Sequence, residues 1–211
     1  MLWEPQKPNR LDVLECYEVL YGLANTFHVE SYLEVGVREG ASLICVLAKE
    51  QEVVRFATKC LSSGIAYITP QVVSRVKELF TLRNPDIQVH LFDNWCYVGC
   101  KEGHRRVEEL VKQGFGLHNV NFYDGDSKDT LPKFTGMVDL AFVDGDHTVE
   151  GARRDLENVV SHAKIIVFHD LYHSEWEGLE KEFIQFCRRH SLPYVIVGRR
   201  ALGTGVAFNI W

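Results

Sequence analysis

No stretch of this chain approaches the ~18 consecutive apolar residues that a membrane-crossing helix needs, and the opening Met-Leu-Trp-Glu-Pro-Gln-Lys-Pro lacks the apolar core of a secretion signal. A cytoplasmic protein with no membrane partner is therefore expected. Basic excess is missing as well: 23 Lys and Arg stand against 29 Asp and Glu, a formal net charge of -6. Proteins that hold nucleic acid do so by neutralising phosphates, and Arg153-Arg154, Arg188-Arg189 and Arg199-Arg200 are pairs rather than a track. No nucleic-acid partner is expected. The six cysteines (16, 45, 60, 96, 100, 187) are scattered, several inside apolar stretches, which suits reduced core thiols better than a disulfide framework. Internal repeats, low-complexity tracts and charge blocks are absent, so nothing signals disorder or a solenoid.

One cysteine pattern has to be weighed. Cys96, Cys100 and His104 recur at i, i+4 and i+8, a spacing that would line soft metal ligands along one side of a helix. Structural zinc usually takes four ligands in tight knuckles, and Gly99 and Gly103 interrupt the stretch. Zinc is not expected there.

What is present fits one α/β domain, because 211 residues suffice for a full core and leave a second domain cramped. Leu11, Leu14, Leu20, Leu23 and Phe27 recur at roughly helical spacing and predict an N-terminal helix over about 10–28. Seven strands are predicted: Ser31–Val37, Ile87–Asp93, Val120–Asp124, Val138–Asp144, Lys164–Asp170, Tyr194–Val197 and Val206–Ile210. Helices are predicted between most of them, at about 41–48, 103–114, 127–132, 149–161 and 175–190. Ser174 and Glu177 are candidates for a capping box on the last. Within a helical insertion at about 50–84, Thr69-Pro70 looks like an N-cap followed by proline at the first helical position. That insertion is a candidate lid or homo-oligomer contact.

Alternating strands and helices imply a parallel sheet covered on both faces. The connection Gly198–Gly205 is too short for a crossover helix, so the last strand should run antiparallel. The expected architecture is a Rossmann-like three-layer sandwich with a seven-stranded, mostly parallel sheet.

In such a sheet the carboxyl ends of the strands form the ligand crevice. Glu34, Asp93, Asp144 and Asp170 all fall at or near those ends. Carboxylates are costly to gather unless they meet hydroxyls, amines or a cation, so a polar ligand is indicated. The first strand turns through Gly36-x-x-x-Gly40-x-Ser42, with Glu34 two residues before the first glycine; glycine lets a backbone approach a ligand closely. A nicotinamide-binding fold would show G-x-G-x-x-G, but Arg38 stands where its middle glycine would be.

An acidic residue followed by a glycine-bearing turn resembles the first motif of class I methyltransferases that use S-adenosylmethionine (SAM). The resemblance extends from about Ser31 onward and is most specific at Asp144-Gly145-Asp146-His147, similar to the D-G-D-H segment of a small-molecule O-methyltransferase branch, methyltransferase family 24. It implies SAM held by Glu34, Gly36, Gly40, Ser42, Asp93, Asn94, Trp95, Asp126, Ser127 and Asp144. Within that set, Asp93 would take the ribose hydroxyls, Trp95 would pack on adenine, Asp126 would take the exocyclic amine and Ser127 a ring nitrogen.

The resemblance also implies methyl transfer to an oxygen of a small-molecule acceptor, releasing S-adenosylhomocysteine. Asp144 would then lie near the methionine portion and His147 would act as general base, imidazole titrating near neutrality. Asp144 and Asp170, at neighbouring strand ends, are candidate ligands for Mg2+, shared with Asp146, His147 or His169. Catechol-type relatives carry a further acidic or amide ligand where Leu171 stands here. His169-Asp170-x-x-His173 offers acceptor-binding or proton-handling groups. Two alternatives stay open: a SAM- or nucleoside-binding protein without turnover, and an NAD-dependent oxidoreductase.

Overall fold

The computed structural model describes residues 10–38, 40–62, 69–95, 100–198 and 202–209. Seven strands form one sheet: β1 (Ser31–Val35), β2 (Gln88–Asp93), β3 (Val120–Asp124), β4 (Val138–Val143), β5 (Ala163–Phe168), β6 (Tyr194–Val197) and β7 (Thr204–Phe208). Their order is β3-β2-β1-β4-β5-β7-β6. Pairs from β3 through β5 are parallel, and β7 runs antiparallel to both β5 and β6. The mostly parallel sheet with one reversed strand is thus the one its sequence predicts; β3 and β6 keep the predicted bounds and the other strands shift by a residue or two at one or both ends.

Two-residue periodicity sends alternate side chains to opposite faces. Tyr32, Leu91, Leu140, Phe142, Ile165, Val167 and Val206 enter one buried cluster, while Leu33, Phe92, Ala141, Val143, Ile166, Phe168 and Ala207 enter the other. On the first face lie α1 (Arg10–Thr26), α2 (Ala41–Leu47), α3 (Glu52–Ser62), α4 (Pro70–Leu79) and α5 (Cys100–Glu109), the last running into a wider π turn at Leu110–Gly114. On the second lie α6 (Ser127–Thr130), a 3₁₀ turn at Leu131–Lys133, α7 (Val149–Val159) and α8 (Leu179–Arg189). Helix, sheet, helix is the three-layer sandwich.

Thr69 caps α4 as expected, its side chain accepting from the Val72 amide at 3.3 Å with Pro70 at the first helical position. Among the described residues of the insertion, Val53, Val54, Ala57, Val72, Val73, Val76 and Phe80 are buried in the first cluster, with α3 packed on α1 and α2 and α4 on the π turn. These apolar side chains pack inside the domain, while Leu79 is exposed.

The Ser174/Glu177 capping box does not form. Helix α8 begins later, at Leu179, with Gly178 at φ 98 as its N-cap and no side-chain cap. Turns over 171–178 hold the chain above the end of β5 instead, tied by the Leu171 and Tyr172 amides donating to the Gly203 and Leu202 carbonyls at 3.2 and 2.7 Å. Predicted Ile210 of the last strand, Glu39 in the first turn and residues 199–201 of the hairpin lie outside the described residues. Among the described residues no helix is long and apolar enough to cross a membrane.

Candidate functional site

At the carboxyl edge of the sheet the turn after β1 lies directly against the end of β4. A Cβ at Gly36, which sits at φ 84, would stand 2.2 Å from the Asp144 carbonyl oxygen, so no other residue fits. The turn is pinned on both sides: the Gly36 amide donates to the Phe92 carbonyl and the Asp144 amide to the Val35 carbonyl, each at 2.9 Å. Gly40, at φ 71, opens α2.

Asp93, closing β2, gathers this corner. One carboxylate oxygen accepts from the Arg38 amide at 2.8 Å and the other from the Trp95 amide at 2.5 Å. Each oxygen can accept a further hydrogen bond. Arg38 (φ 52), Trp95 (φ 57) and Asp170 (φ 59) are three of the five described non-glycine residues at positive φ, and each follows the end of a strand. Backbone held in that sparsely populated region tends to collect where a ligand is clamped.

Glu34 and Ser42, both assigned to the cofactor from sequence, are buried and bonded to each other. The Ser42 hydroxyl donates to Glu34 Oε1 and the Tyr32 hydroxyl to Oε2, the latter at 2.9 Å. Tyr32 and Glu34, two apart on β1, share the face toward α1 and α2. Burial dominates the carboxyl and raises its pKa to about 8 despite these two donors. At neutral pH it is mostly a neutral acid behind the turn.

Trp95 is expected from sequence to pack on adenine. It is 3% exposed, its ring lies beside His104 and Phe122, and its indole N–H donates to Asp124 at 2.8 Å. His104 shares Asp124 and stacks on Phe122 at 4.3 Å. Of the Cys96/Cys100/His104 pattern, Cys96 and the Cys100 side chain lie outside the described residues, and His104 is engaged with these partners. Asn94 is exposed beside Trp95.

Asp126 caps α6, accepting from the Lys128 amide at 3.0 Å and pairing with the Lys128 ammonium at 2.7 Å. Ser127 follows it, half-buried, at the first helical position. Both stand at the carboxyl end of β3, beside the Asp93 corner, because β2 and β3 pair in register from Val89↔Val120 to Asp93↔Asp124.

The densest chemistry lies between the ends of β4 and β5, which pair with Val143 opposite Phe168. That register brings the next residues, Asp144 and His169, side by side, with Asp170 and His147 completing the group. His147 Nε2 lies 3.2 Å from Asp144 Oδ1 and 3.1 Å from Asp170 Oδ2. His169 Nδ1 lies 3.4 Å from Asp144 and 3.2 Å from Asp170 Oδ1. These last two are ion-pair distances only: neither ring nitrogen of His169, nor Asp170 Oδ1, has a partner at hydrogen-bonding geometry, and all three atoms are buried.

The electrostatics follow from this crowding. Burial opposes charge on Asp144, yet His169 and His147 outweigh it and hold the carboxyl well below its ordinary range. Burial likewise opposes charge on His147, but hydrogen bonds to Asp144 and Asp170 prevail and raise its pKa to about 9. His169 is raised too, burial being outweighed by Cys16 and Asp144. This arrangement favours the imidazolium form of His147 at neutral pH.

Asp146 turns away from the group. It accepts from the Thr148 amide at 2.8 Å, and its carboxyl occupies the space above Gly151, where a Cβ would meet it at 2.0 Å. Thr148 caps α7 through the Gly151 amide at 3.0 Å. The candidate cation ligands that converge are Asp144, His169 and Asp170, one atom from each lying within 4.8 Å of the others. Trp176 is the residue sequence reasoning missed: it stacks on His147 at 3.8 Å and on His173 at 3.9 Å. A Trp three residues after a histidine, in the loop following an acidic strand end, was the available signal.

Known proteins bear on this geometry. A family model described as a methyltransferase domain matches residues 33–171, from within β1 to just past Asp170. Nothing among curated proteins matches the chain. A TDP-rhamnose 3'-O-methyltransferase of calicheamicin biosynthesis superposes with a TM-score of 0.58 at 20% identity, over 94% of this chain and 78% of that one. The O-methyltransferase TomG of Streptomyces achromogenes, in complex with SAM, gives 0.55 at 14% identity over 91% and 78%. An O-methyltransferase of Bacillus cereus with S-adenosylhomocysteine gives 0.57 at 10% identity over 91% and 80%. At such identities the likeness is one of fold, and the family match, covering most of the chain, supplies the rest: this protein belongs to the methyltransferase-domain family, type 24, with the class I SAM-dependent fold.

Proposed function

We propose that this protein transfers the methyl group of SAM to an oxygen of a small-molecule acceptor, at the carboxyl ends of β4 and β5. The observation that carries the reading is the gathering of Asp144, His147, His169 and Asp170 beside the Gly36 turn. SAM, when bound, supplies a methyl carbon activated by its sulfonium. The protein's share is alignment and proton handling.

Asp93, each of whose oxygens can accept a further hydrogen bond, takes the ribose hydroxyls. Gly36 and Gly40 leave room for the backbone to approach the nucleoside, and neutral Glu34 with Ser42 forms the floor behind them. Asn94, Asp126 and Ser127 border the adenine. Asp144 lies next to the positively charged sulfonium end, where a carboxylate held ionised is favourable. His147 accepts the acceptor's proton only once Asp144 and Asp170 are engaged elsewhere, because together they keep it protonated.

The Asp144, His169 and Asp170 set fits a divalent cation: its buried imidazole nitrogens and one carboxylate oxygen lack partners. Two carboxylates and an imidazole suit a first-row ion such as manganese or zinc better than Mg2+, which prefers oxygen. Such a cation would lower the pKa of an acceptor hydroxyl.

Calorimetric titration with SAM, S-adenosylhomocysteine and NAD tests cofactor choice, and tight NAD binding without SAM binding would sink the proposal. Release of S-adenosylhomocysteine with a panel of hydroxylated acceptors, with and without chelator, tests transfer. Unchanged turnover in Asp144→Ala combined with His147→Ala would reject this site, and SAM binding with no turnover on any acceptor would leave a binding protein.

A further inference from the structure

Asp155 lies on α7, fully buried, and neither of its carboxylate oxygens has a hydrogen-bond partner. It takes no part in the network of Arg153, Glu182, Arg189 and Glu157 that joins α7 to α8. Its surroundings are the two loops of the crevice. Oδ2 sits beneath Gly145, where a Cβ would stand 3.0 Å from it. The Ser127 hydroxyl and the Asp146 backbone amide act on it as donors, short of full hydrogen-bonding geometry, and pull its pKa down. Burial outweighs them and, with the Asp146 and Asp126 carboxylates adding to it, leaves the pKa raised to about 6. A buried carboxylate without partners costs stability. Such a group is retained most readily where a ligand gives it work.

We propose that Asp155 is a positioning residue for the cofactor: when the nucleoside seats, its carboxylate engages the Ser127 hydroxyl and the Asp146 amide from beneath. The loops after β3 and β4 are thereby held at the spacing the cofactor spans, from the adenine border to the end carrying Asp144. This rests on the methyltransferase reading above. The Ser127 loop and the Gly145-Asp146 loop belong to strands three places apart in the sheet, and Asp155 is the side chain that faces both. Packing of α6 on α7 brings the two loops within its reach.

The test measures S-adenosylhomocysteine affinity and melting temperature for the wild type, Asp155→Asn, Asp155→Ala, Ser127→Ala and the double variant Asp155→Ala/Ser127→Ala. Asp155→Ala is expected to weaken binding about tenfold while its melting temperature stays level or rises, since an unpartnered buried carboxylate is gone. Asp155→Asn should recover affinity to within about threefold, its amide oxygen still accepting from both donors. Adding Ser127→Ala to Asp155→Ala should cost less than Ser127→Ala costs in the wild type, as expected of partners in one interaction. Unchanged affinity in a folded Asp155→Ala, additive losses in the double variant, or lowered melting temperatures in both the Asn and Ala variants with affinity intact would each overturn the proposal. Should the wild type itself bind neither S-adenosylhomocysteine nor SAM, the methyltransferase reading fails and this inference falls with it.

Discussion

Strand β4 carries an aspartate near each end, and the two are treated oppositely. Asp139, near the amino end, is saturated: Oδ2 accepts from the Glu30 amide at 2.9 Å, the Ser31 amide at 3.0 Å and the Ser31 hydroxyl at 3.0 Å. Its Oδ1 pairs with the Lys164 ammonium at 2.7 Å. Asp144, just past the carboxyl end, pairs among the described residues with the imidazoles of His147 and His169, and the groups around it keep unpartnered buried atoms. A carboxylate whose partners are backbone amides and a lysine is part of the scaffold. One whose partners titrate, and whose neighbours are unsatisfied, is available for chemistry.

The comparison breaks most sharply if Asp144 proves structural. Asp144→Ala is expected to lower the rate of S-adenosylhomocysteine release about 10²- to 10³-fold per folded molecule, in the range of a lost preorganised charge. Asp139→Ala should do the reverse, costing about 2 kcal/mol through stranded amides and a lost ion pair while turnover per folded molecule holds. Denaturant titration beside initial rates separates the two.

A smaller effect is carried by pH. His147 has a folded pKa raised to about 9, so its contribution to stability is full below the unfolded value of about 6.5 and is lost as pH rises through about 9. Stability of His147→Gln should therefore fall less between those limits than that of the wild type, read as urea midpoints at several pH values. The smallest effect on cofactor affinity is expected at Glu34. With its pKa raised to about 8, the folded state holds a proton that the unfolded chain gives up above about 4.5, so stability declines as pH rises from there to about 8. Glu34→Gln should remove that slope and leave cofactor affinity at pH 7 within about threefold, since the wild-type group is already mostly neutral there.

Much of this was legible in the residues. Short apolar, β-rich runs at 138–143 and 163–168 marked two buried strands, and Thr69-Pro70 marked the start of α4. Placing Glu34, Asp93, Asp144 and Asp170 near strand ends needed only strand boundaries and the crevice rule for parallel sheets. The misreading at Ser174/Glu177 has a tertiary cause: these residues had the letters of a capping box, but the chain over 171–178 is held by backbone bonds to 202–203, a partner distant in sequence. The contacts of Trp95 with Asp124 and the rings of His104 and Phe122 were not legible either, for the same reason.

The sequence by itself determined the elements, the parallel sheet and the edge at which chemistry gathers, because these depend on local periodicity and on turns a few residues long. Tertiary structure alone decided what those residues are. It set β4 between β1 and β5, bringing Asp144 against Gly36 on one side and His169 on the other. It buried Glu34 into a neutral acid, made His147 an imidazolium between two carboxylates, laid Trp176 against it and left Asp155 without a partner. Protonation and orphaned hydrogen bonds depend on solvent exclusion and on neighbours brought in from other strands, and neither is encoded in the spacing of letters along a chain.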